Sequence, residues 1–369
     1  MAKVDIVIGS NSGDEGKGII TARLAEKYKN EGKKTLVVLA NGGSQRGHTV
    51  VTDQGSHTFK HWGSGTFAGA NTCLDKNFIL NPMQLCKEGQ ELSAINPILP
   101  CKTVFYNIDC LWSTPYDMMA NQIIQEQEWT GTCGMGIWET ILRNKHVPFI
   151  TIGQFVGESS PEHDKFQRDY LKSIKKYYEE VRKVKPTAKY AEAWNSDGLI
   201  THFIHDCWAL VHYYGEPFRC PDELFNSFDN IIVENGQGLL LSDEGKDDPE
   251  KTPSITGIKS TRNVLVRNAD IHYVTRPYLT RHGSNNWQGK KIDCDLNKSS
   301  EINVFNEFQH DFLYNDLDLF DLKKRITKDL KKAHKDKFIL EVTHCDELDR
   351  EAEFKKVFEN CNFYGSAKV

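Results

Sequence analysis

The sequence predicts an α/β fold with a largely parallel central sheet flanked by helices. Short apolar runs recur along the chain, segments with helical spacing separate many of them, and two runs break directly into glycine-rich turns. At 369 residues the chain is long enough to bury a large core. No internal repeat or low-complexity linker divides it, so one elaborated domain over 1–369 is expected.

The elements follow in order. Val4–Ile8 is a strand of mainly apolar residues; Gly9 to Gly18 interrupts it, and Ile19–Lys29 resumes with helical spacing. Thr35–Ala40 is the second strand and Phe78–Leu80 the third, followed by helices over Met83–Leu92 and Met118–Glu128. From about 164 to 216 the chain is mostly helical and charged, with helices over Phe166–Val184 and Leu199–Tyr214; this reads as an insertion packed on the sheet edge. Ile231–Val233, Ile271–Val274 and Phe338–Val342 complete the strands. The basic run Lys323–Lys337 alternates Lys with Leu, Ile and Asp at helical spacing, which suits a solvated helix face rather than a nucleic-acid patch.

Chemistry concentrates in two turns. The first is Gly9-Ser10-Asn11-Ser12-Gly13-Asp14-Glu15-Gly16-Lys17-Gly18. A glycine-rich turn at a helix N-terminus offers backbone N–H groups to an anion, and the macrodipole and Lys17 add positive potential. It is not the ordinary nucleotide P-loop, which needs Ser or Thr where Gly18 stands. The acidic pair Asp14-Glu15 suits such a place if a carboxylate binds Mg²⁺ or removes a proton. The second turn, Asn41-Gly42-Gly43-Ser44-Gln45-Arg46-Gly47-His48-Thr49-Val50, carries one histidine. Adjacent parallel strands bring their C-terminal loops together, which makes His48 a candidate acid/base partner of the first turn.

GDEGKG followed by GGSQRGHTV resembles the adenylosuccinate synthetase family. Gly131-Thr132-Cys133-Gly134-Met135-Gly136-Ile137 is similar to its GTTGRGIGP turn, and Glu234-Asn235-Gly236-Gln237-Gly238 to its EGAQG segment. Thr252-Pro253-Ser254-Ile255-Thr256 falls where the family has YPYVT, and Tyr278-Leu279-Thr280-Arg281-His282-Gly283 where it has a TTRVG-like stretch. The resemblance implies a ligase that phosphorylates O6 of a purine mononucleotide and lets L-aspartate displace the phosphate, with Mg²⁺ and ATP or GTP as phosphoryl donor.

The resemblance also implies roles. Asp14 is the base at N1 and a Mg²⁺ ligand, His48 the general acid, and Gln237 a hydrogen-bonding partner of the purine or its new substituent. Ser12, Gly13, Glu15, Gly16, Lys17 and Gly18 form the phosphate loop, and the Gly47 carbonyl completes the metal shell. Asn41, Thr49, Gly238 and Arg281 line the nucleotide; Thr132, Cys133 and Thr256 cradle the 5′-monophosphate. Arg143 reaches a monophosphate across a homodimer interface. Asp346, in Val342-Thr343-His344-Cys345-Asp346, matches a TKLD stretch whose carboxylate reads the guanine of GTP; the bland reading is a helix-capping Asp.

Ordinary members carry an arginine-rich TTGRRRRxGWxD loop that grips aspartate. Here that place holds Asn306-Glu307-Phe308-Gln309-His310-Asp311-Phe312-Leu313-Tyr314-Asn315-Asp316-Leu317-Asp318, with no arginine. Arg276, Arg281 or Arg262 are the candidate substitutes. This change, with His61-Trp62-Gly63-Ser64-Gly65 where others read HxxPSG, looks like the bacteriophage branch that includes the 2-aminoadenylosuccinate synthetases acting on dGMP. Ser10, Asn11 and Ser12 are small candidates for reading the extra exocyclic amine. Phage members often replace the loop's Asp by a smaller residue, whereas Asp14 is retained. dGMP is favoured; the alternatives are IMP with GTP, and a non-catalytic nucleotide binder on the same fold.

The net charge of −5 argues against a general nucleic-acid binder. No apolar run reaches membrane-spanning length, so the expected compartment is the cytoplasm, that of the host if the protein is viral. Ten cysteines are scattered without a C-x-x-C pair, which suits reduced thiols, not disulfides or a metal site.

Overall fold

The structure, a computed structural model, describes residues 2–96, 99, 104–129, 131–215, 217–219, 221–242, 255–282, 292, 307–310, 312–366 and 369. Thr252, Pro253, Ser254, Gly283, Asn306 and Asp311 of the sequence motifs lie outside the described residues.

An 8-stranded sheet forms the centre. Its strands are β1 (Lys3–Gly9), β2 (Thr35–Leu39), β3 (Asn71–Leu74), β4 (Val104–Tyr106), β5 (Asn230–Gly238), β6 (Ala269–Thr275), β7 (Ile339–Val342) and β8 (Cys361–Phe363). The spatial order is β8-β7-β6-β1-β5-β2-β3-β4, and every pairing is parallel. β2 is buried along its whole length and β1 beyond Lys3, as strands covered on both faces must be. Alternate residues feed two cores. Val7, Val37, Ile232 and Val274 face one, with helix α1 (Lys17–Asn30), helix α2 (Pro82–Ile95) and the helices Pro161–Glu180 and Asp197–Tyr214. Ile6, Ile8, Val38, Val233 and Tyr273 face the other, with the helix Leu319–Lys331.

Two sequence expectations are corrected. Phe78–Leu80 does not join the central sheet: Phe78–Ile79 pairs with Gly42–Gly43 in a separate ladder, because the short, half-polar strand Asn71–Leu74 takes the place beside β2. The two glycine-rich turns do not come from adjacent strands either. β5, over two hundred residues along the chain from β1, lies between β1 and β2. The strand order reverses beside β1, and in parallel sheets ligands bind outside the carboxyl ends at such a reversal. Among the described residues no helix is long and apolar enough to cross a membrane.

Candidate active site

The first turn leaves the C-terminal end of β1 and enters α1. Gly16, at φ 88°, caps α1 without any side-chain bond, so no capping side chain covers the helix's first N–H groups. Within the loop, Glu15 acts as an internal anion: Oε1 accepts the Asn11 and Gly13 N–H groups, each at 2.9 Å, and Oε2 accepts Lys17 Nζ at 2.8 Å. Both side chains of the ion pair are buried. Burial alone would raise the Glu15 carboxyl, but Lys17 and the two amides hold it below its ordinary value. Glu15 thus shapes the loop from within, occupying the Asn11 and Gly13 amides.

Asp14 takes a left-handed φ of 60°, with its carbonyl accepting Arg276 Nε at 2.7 Å. Burial raises the Asp14 carboxyl above its ordinary value, against the pull of His282, Lys17 and Arg276. A raised carboxylate is a stronger base. Sequence reasoning did not single out His282 for this place. It ends the strand Leu279–His282, whose Thr280 hydroxyl donates to the Gly13 carbonyl at 2.9 Å and so ties the hairpin to the loop.

The inserted strand decides the second half of the site. Glu234 aligns with Val7 on one side and Leu39 on the other, which sets its carboxylate beside the turn after β2. His48 Nδ1 lies 2.5 Å from Glu234 Oε1 and 3.0 Å from Arg46 Nη2. One ring nitrogen cannot donate to the first and accept from the second. Burial alone would raise Glu234, but Arg46, His48 and Ser64 draw it down to about 2, so it is ionised and the proton belongs on Nδ1. Burial and the neighbouring Arg46 lower His48 to about 4, which leaves the ring neutral with Nε2 as its second nitrogen. Glu234 also accepts the Ser64 N–H at 3.1 Å and hydroxyl at 2.5 Å. Its sequence signal was an acid ending an apolar, buried strand.

The two halves touch at the start of α1: a Cβ added to Gly18 would stand 3.1 Å from His48 Cβ. Lys17 opposes the proton on both Asp14 and His48. Gly238 closes the floor, since a Cβ there would meet the Asn11 carbonyl at 2.1 Å. Gln237, the penultimate residue of β5, is half-buried between the buried Gly236 and Gly238, with φ 59°. Gly47 and Thr49 flank His48, and Thr49 Oγ1 lies 2.8 Å from Thr58 Oγ1 across the hairpin.

Other candidates are held inside the fold. Asn41 joins the ends of β2 and β5, accepting the Gly236 N–H at 2.8 Å and donating to the Ile255 carbonyl at 2.9 Å. Thr256 is buried and donates its hydroxyl to Gly238 O at 2.9 Å. Arg143 does not reach outward: it is buried, with Nε on Asp117 at 2.8 Å and Nη2 on the Trp112 carbonyl at 2.7 Å. Ser10, Asn11 and Ser12 are all buried; Asn11 Oδ1 accepts Arg325 Nη2 at 2.7 Å and Nδ2 donates to Thr275 at 2.9 Å. Ser12 and Gly13 remain on the loop. Arg262 is paired with Asp75, and Arg276 holds the Asp14 carbonyl.

Thr132 and Cys133 lie in a turn packed behind the second loop, where Ile137 Cδ1 would meet a Cβ on Gly43 at 2.8 Å. Thr132 Oγ1 accepts Asn121 Nδ2 at 3.0 Å. Burial pushes the Cys133 thiol up to about 11, so it is no nucleophile at neutral pH. The described cysteines are free thiols. Arg281 lies on the Leu279–His282 hairpin strand. Asp346 caps no helix; it accepts the N–H and hydroxyl of Ser366.

An adenylosuccinate synthetase family model matches residues 6–303. Among curated relatives, the adenylosuccinate synthetase of Francisella tularensis subsp. novicida is 26% identical over 298 residues, covering 75% of this chain and 63% of that protein. The chain thus spans less than two thirds of the length of the Francisella relatives. The Thermoplasma acidophilum enzyme is 38% identical over 97 residues, 26% of this chain and 21% of its own. Two solved structures share the fold. The fully ligated adenylosuccinate synthetase of Plasmodium falciparum has a TM-score of 0.71 at 15% identity, over 95% of this chain and 78% of that one. The cyanophage S-2L succinoaminodeoxyadenylate synthetase, bound to dGMP and dATP as an energy donor, has a TM-score of 0.65 at 11% identity, over 100% of this chain and 93% of that one.

Proposed function

Because the chain belongs to the adenylosuccinate synthetase family, we propose that it is a ligase: it phosphorylates O6 of a purine mononucleotide, and L-aspartate displaces that phosphate. The observation that carries this reading is the pair of opposed groups around Lys17, a carboxylate made more basic by burial and an imidazole braced by Glu234. Asp14 takes the N1 proton, which moves electron density onto O6. His48, with Nδ1 held by Glu234, directs Nε2 to the transferring phosphoryl group. The negative charge arriving there favours the imidazolium, offsetting the burial and Arg46 that hold the free ring near 4. The α1 N-terminus and Lys17 hold phosphate oxygens, and Gln237 binds the purine edge.

Among the described residues no group of three or more His, Cys, Asp or Glu could hold a metal. One carboxylate, Asp14, and one carbonyl, Gly47, suit Mg²⁺, which keeps water and phosphate oxygens for the rest of its shell. Such an ion would neutralise charge on the donor's phosphates.

The mononucleotide we favour is dGMP, giving 2-amino-2′-deoxyadenylosuccinate. Support comes from the small Ser12 on the loop, the absent arginine-rich segment, and the fold shared with a cyanophage enzyme described with dGMP. Retention of Asp14 favours the second reading, IMP as substrate. The reading includes a homodimer, to which the buried Arg143 would contribute no contact. The test is phosphate release by purified protein with Mg²⁺, aspartate and ATP or GTP, supplied with dGMP or IMP in parallel. Turnover with dGMP that D14N abolishes is expected; turnover with IMP alone overturns the substrate, and none with either overturns the ligase.

A further inference from the structure

The hairpin that starts at His48 has a second face. Its strands, His48–Thr52 and Gly55–Phe59, pair antiparallel, and the second of them packs against α2. Between hairpin and helix lies a cleft of about 170 Å³, open to solvent, with His57, Thr58, Lys60, Lys87, Glu88 and Glu91 among its lining residues. Its floor is the buried Glu88, whose Oε1 accepts the Lys60 N–H and Oε2 the His61 N–H, each at 2.8 Å. Burial would raise this carboxyl, but the adjoining His57 and His61 and the His61 N–H bring it down to about 2, so it is ionised.

His57 leans over that floor. Its side chain is 8% exposed, its ring meets Phe59 edge-on at 4.9 Å, and its buried Nε2 stands 3.5 Å from Glu88 Oε1 without a hydrogen bond. A ring nitrogen left unsatisfied beside an ionised carboxylate calls for a donor that reaches both. An ammonium group does so, with one N–H to Glu88 and another to the Nε2 lone pair of the Nδ1–H tautomer. Toward the mouth the charge changes sign, at Lys60 and Lys87. Lys87 Nζ lies 3.8 Å from Glu91 Oε1, an exposed pair that solvent weakens. The cleft also touches the reacting centre. The Lys60 carbonyl accepts Arg46 Nη1 at 3.2 Å, the cation beside His48 and Glu234, and Thr58 Oγ1 lies 2.8 Å from Thr49 Oγ1, next to His48.

We propose that this cleft binds a small dicarboxylic amino acid, apart from the phosphate loop, and that its occupant braces the hairpin carrying His48. The ammonium sits on Glu88 and His57, and the two carboxylates reach Lys60 and Lys87, so that every charge of the ligand meets its opposite. A cavity of about 150 Å³ takes benzene, and the open mouth here gives the carboxylates the further room they need. An amino acid with one carboxylate leaves a lysine unmatched, and a dicarboxylate without the amine leaves the floor unmatched. The site stands on the cleft's own residues; only its effect on turnover rests on the ligase reading.

The test is calorimetric titration of the nucleotide-free protein with L-aspartate, L-alanine and succinate, repeated in H57F and K87M. L-Aspartate is expected to bind, and alanine and succinate each to bind more weakly by about tenfold or more, the worth of one charge-assisted hydrogen bond. H57F keeps the ring against Phe59 and K87M keeps the helix, so both should unfold with the parent while binding aspartate about tenfold more weakly. No aspartate binding by the parent, equal affinity for succinate, or affinity unchanged in both variants overturns the proposal; the last result would place the heat at the reacting centre. In phosphate release at saturating nucleotide, both variants should lower kcat by about threefold and leave the nucleotide KM unchanged, the scale of a coupling carried through packed neighbours. An unchanged kcat in both overturns the bracing. A parent that binds aspartate yet releases no phosphate counts against the ligase alone.

Discussion

Replacing Glu234 by Gln probes the buried network directly. Glu234 lies 2.5 Å from His48, accepts two bonds from Ser64, and stands 3.3 Å from Arg46, with both charged side chains 0% exposed. Glutamine keeps the size and one acceptor oxygen, so packing and part of the Ser64 contact survive. What disappears is the counter-charge of a guanidinium that water cannot reach. Removing one partner of a buried ion pair costs about 3–5 kcal/mol, and E234Q should lose that much in urea unfolding. R46M in the same background removes the orphaned cation, so the double variant should recover about 2 kcal/mol relative to E234Q, within the range of couplings between contacting residues. His48 also loses the group that fixes its Nδ1 proton, so phosphate release should fall by about 10²-fold, the low end for acid–base assistance. If E234Q unfolds within about 1 kcal/mol of the parent, the size of a surface pair, and R46M adds independently, the coupled-charge reasoning is wrong.

Three further outcomes are expected. His272 bridges Glu341 at 2.7 Å and Asp5 at 3.1 Å inside the sheet; despite burial, these carboxylates raise it from 6.5 to about 9. A raised folded-state value stabilises fully below the unfolded 6.5 and is lost as pH rises through 9, about 3 kcal/mol in all; unfolding at pH 6 and 9.5 should show this loss, and H272Q should flatten it. Arg325 donates to the Ser10 carbonyl at 3.0 Å and to Asn11 at 2.7 Å, so R325M should fold but raise the donor KM by about tenfold through a misplaced loop, read by steady-state kinetics. Gly238→Ala drives a methyl against the Asn11 carbonyl at 2.1 Å and Glu15 Oε1 at 2.6 Å, and thermal or urea unfolding should show a loss of about 1–3 kcal/mol.

Legibility varied with how local the signal was. Leu36–Ala40 and Ile231–Val233 are continuous apolar runs and Val4–Ile8 is broken only by Asp5, the near-continuous pattern of strands buried on both faces. Asn71–Leu74, Val104–Tyr106 and Cys361–Phe363 are too short or too polar to be read alone; they are strands because a neighbour offers a ladder. The glycine turns were legible as candidate anion sites for the same local reason, since glycine spacing and the helix start lie within one stretch of chain. That Glu15 would fill its own loop was not, because it depends on where the chain folds back.

The sequence by itself determined the alternating layers and the two glycine-rich loops with Asp14 and His48 as candidates, because these rest on hydrophobic period and turn chemistry close along the chain. Only the tertiary structure decided that β5 enters between β1 and β2. That insertion brings Glu234 across 186 residues to His48, fixes which ring nitrogen holds the proton, and buries Arg46 beside both. Likewise only packing turned Arg143 inward and set Ser366 against Asp346. Long-range pairing answers to the summed burial of whole strands and helices, which no single stretch of residues encodes.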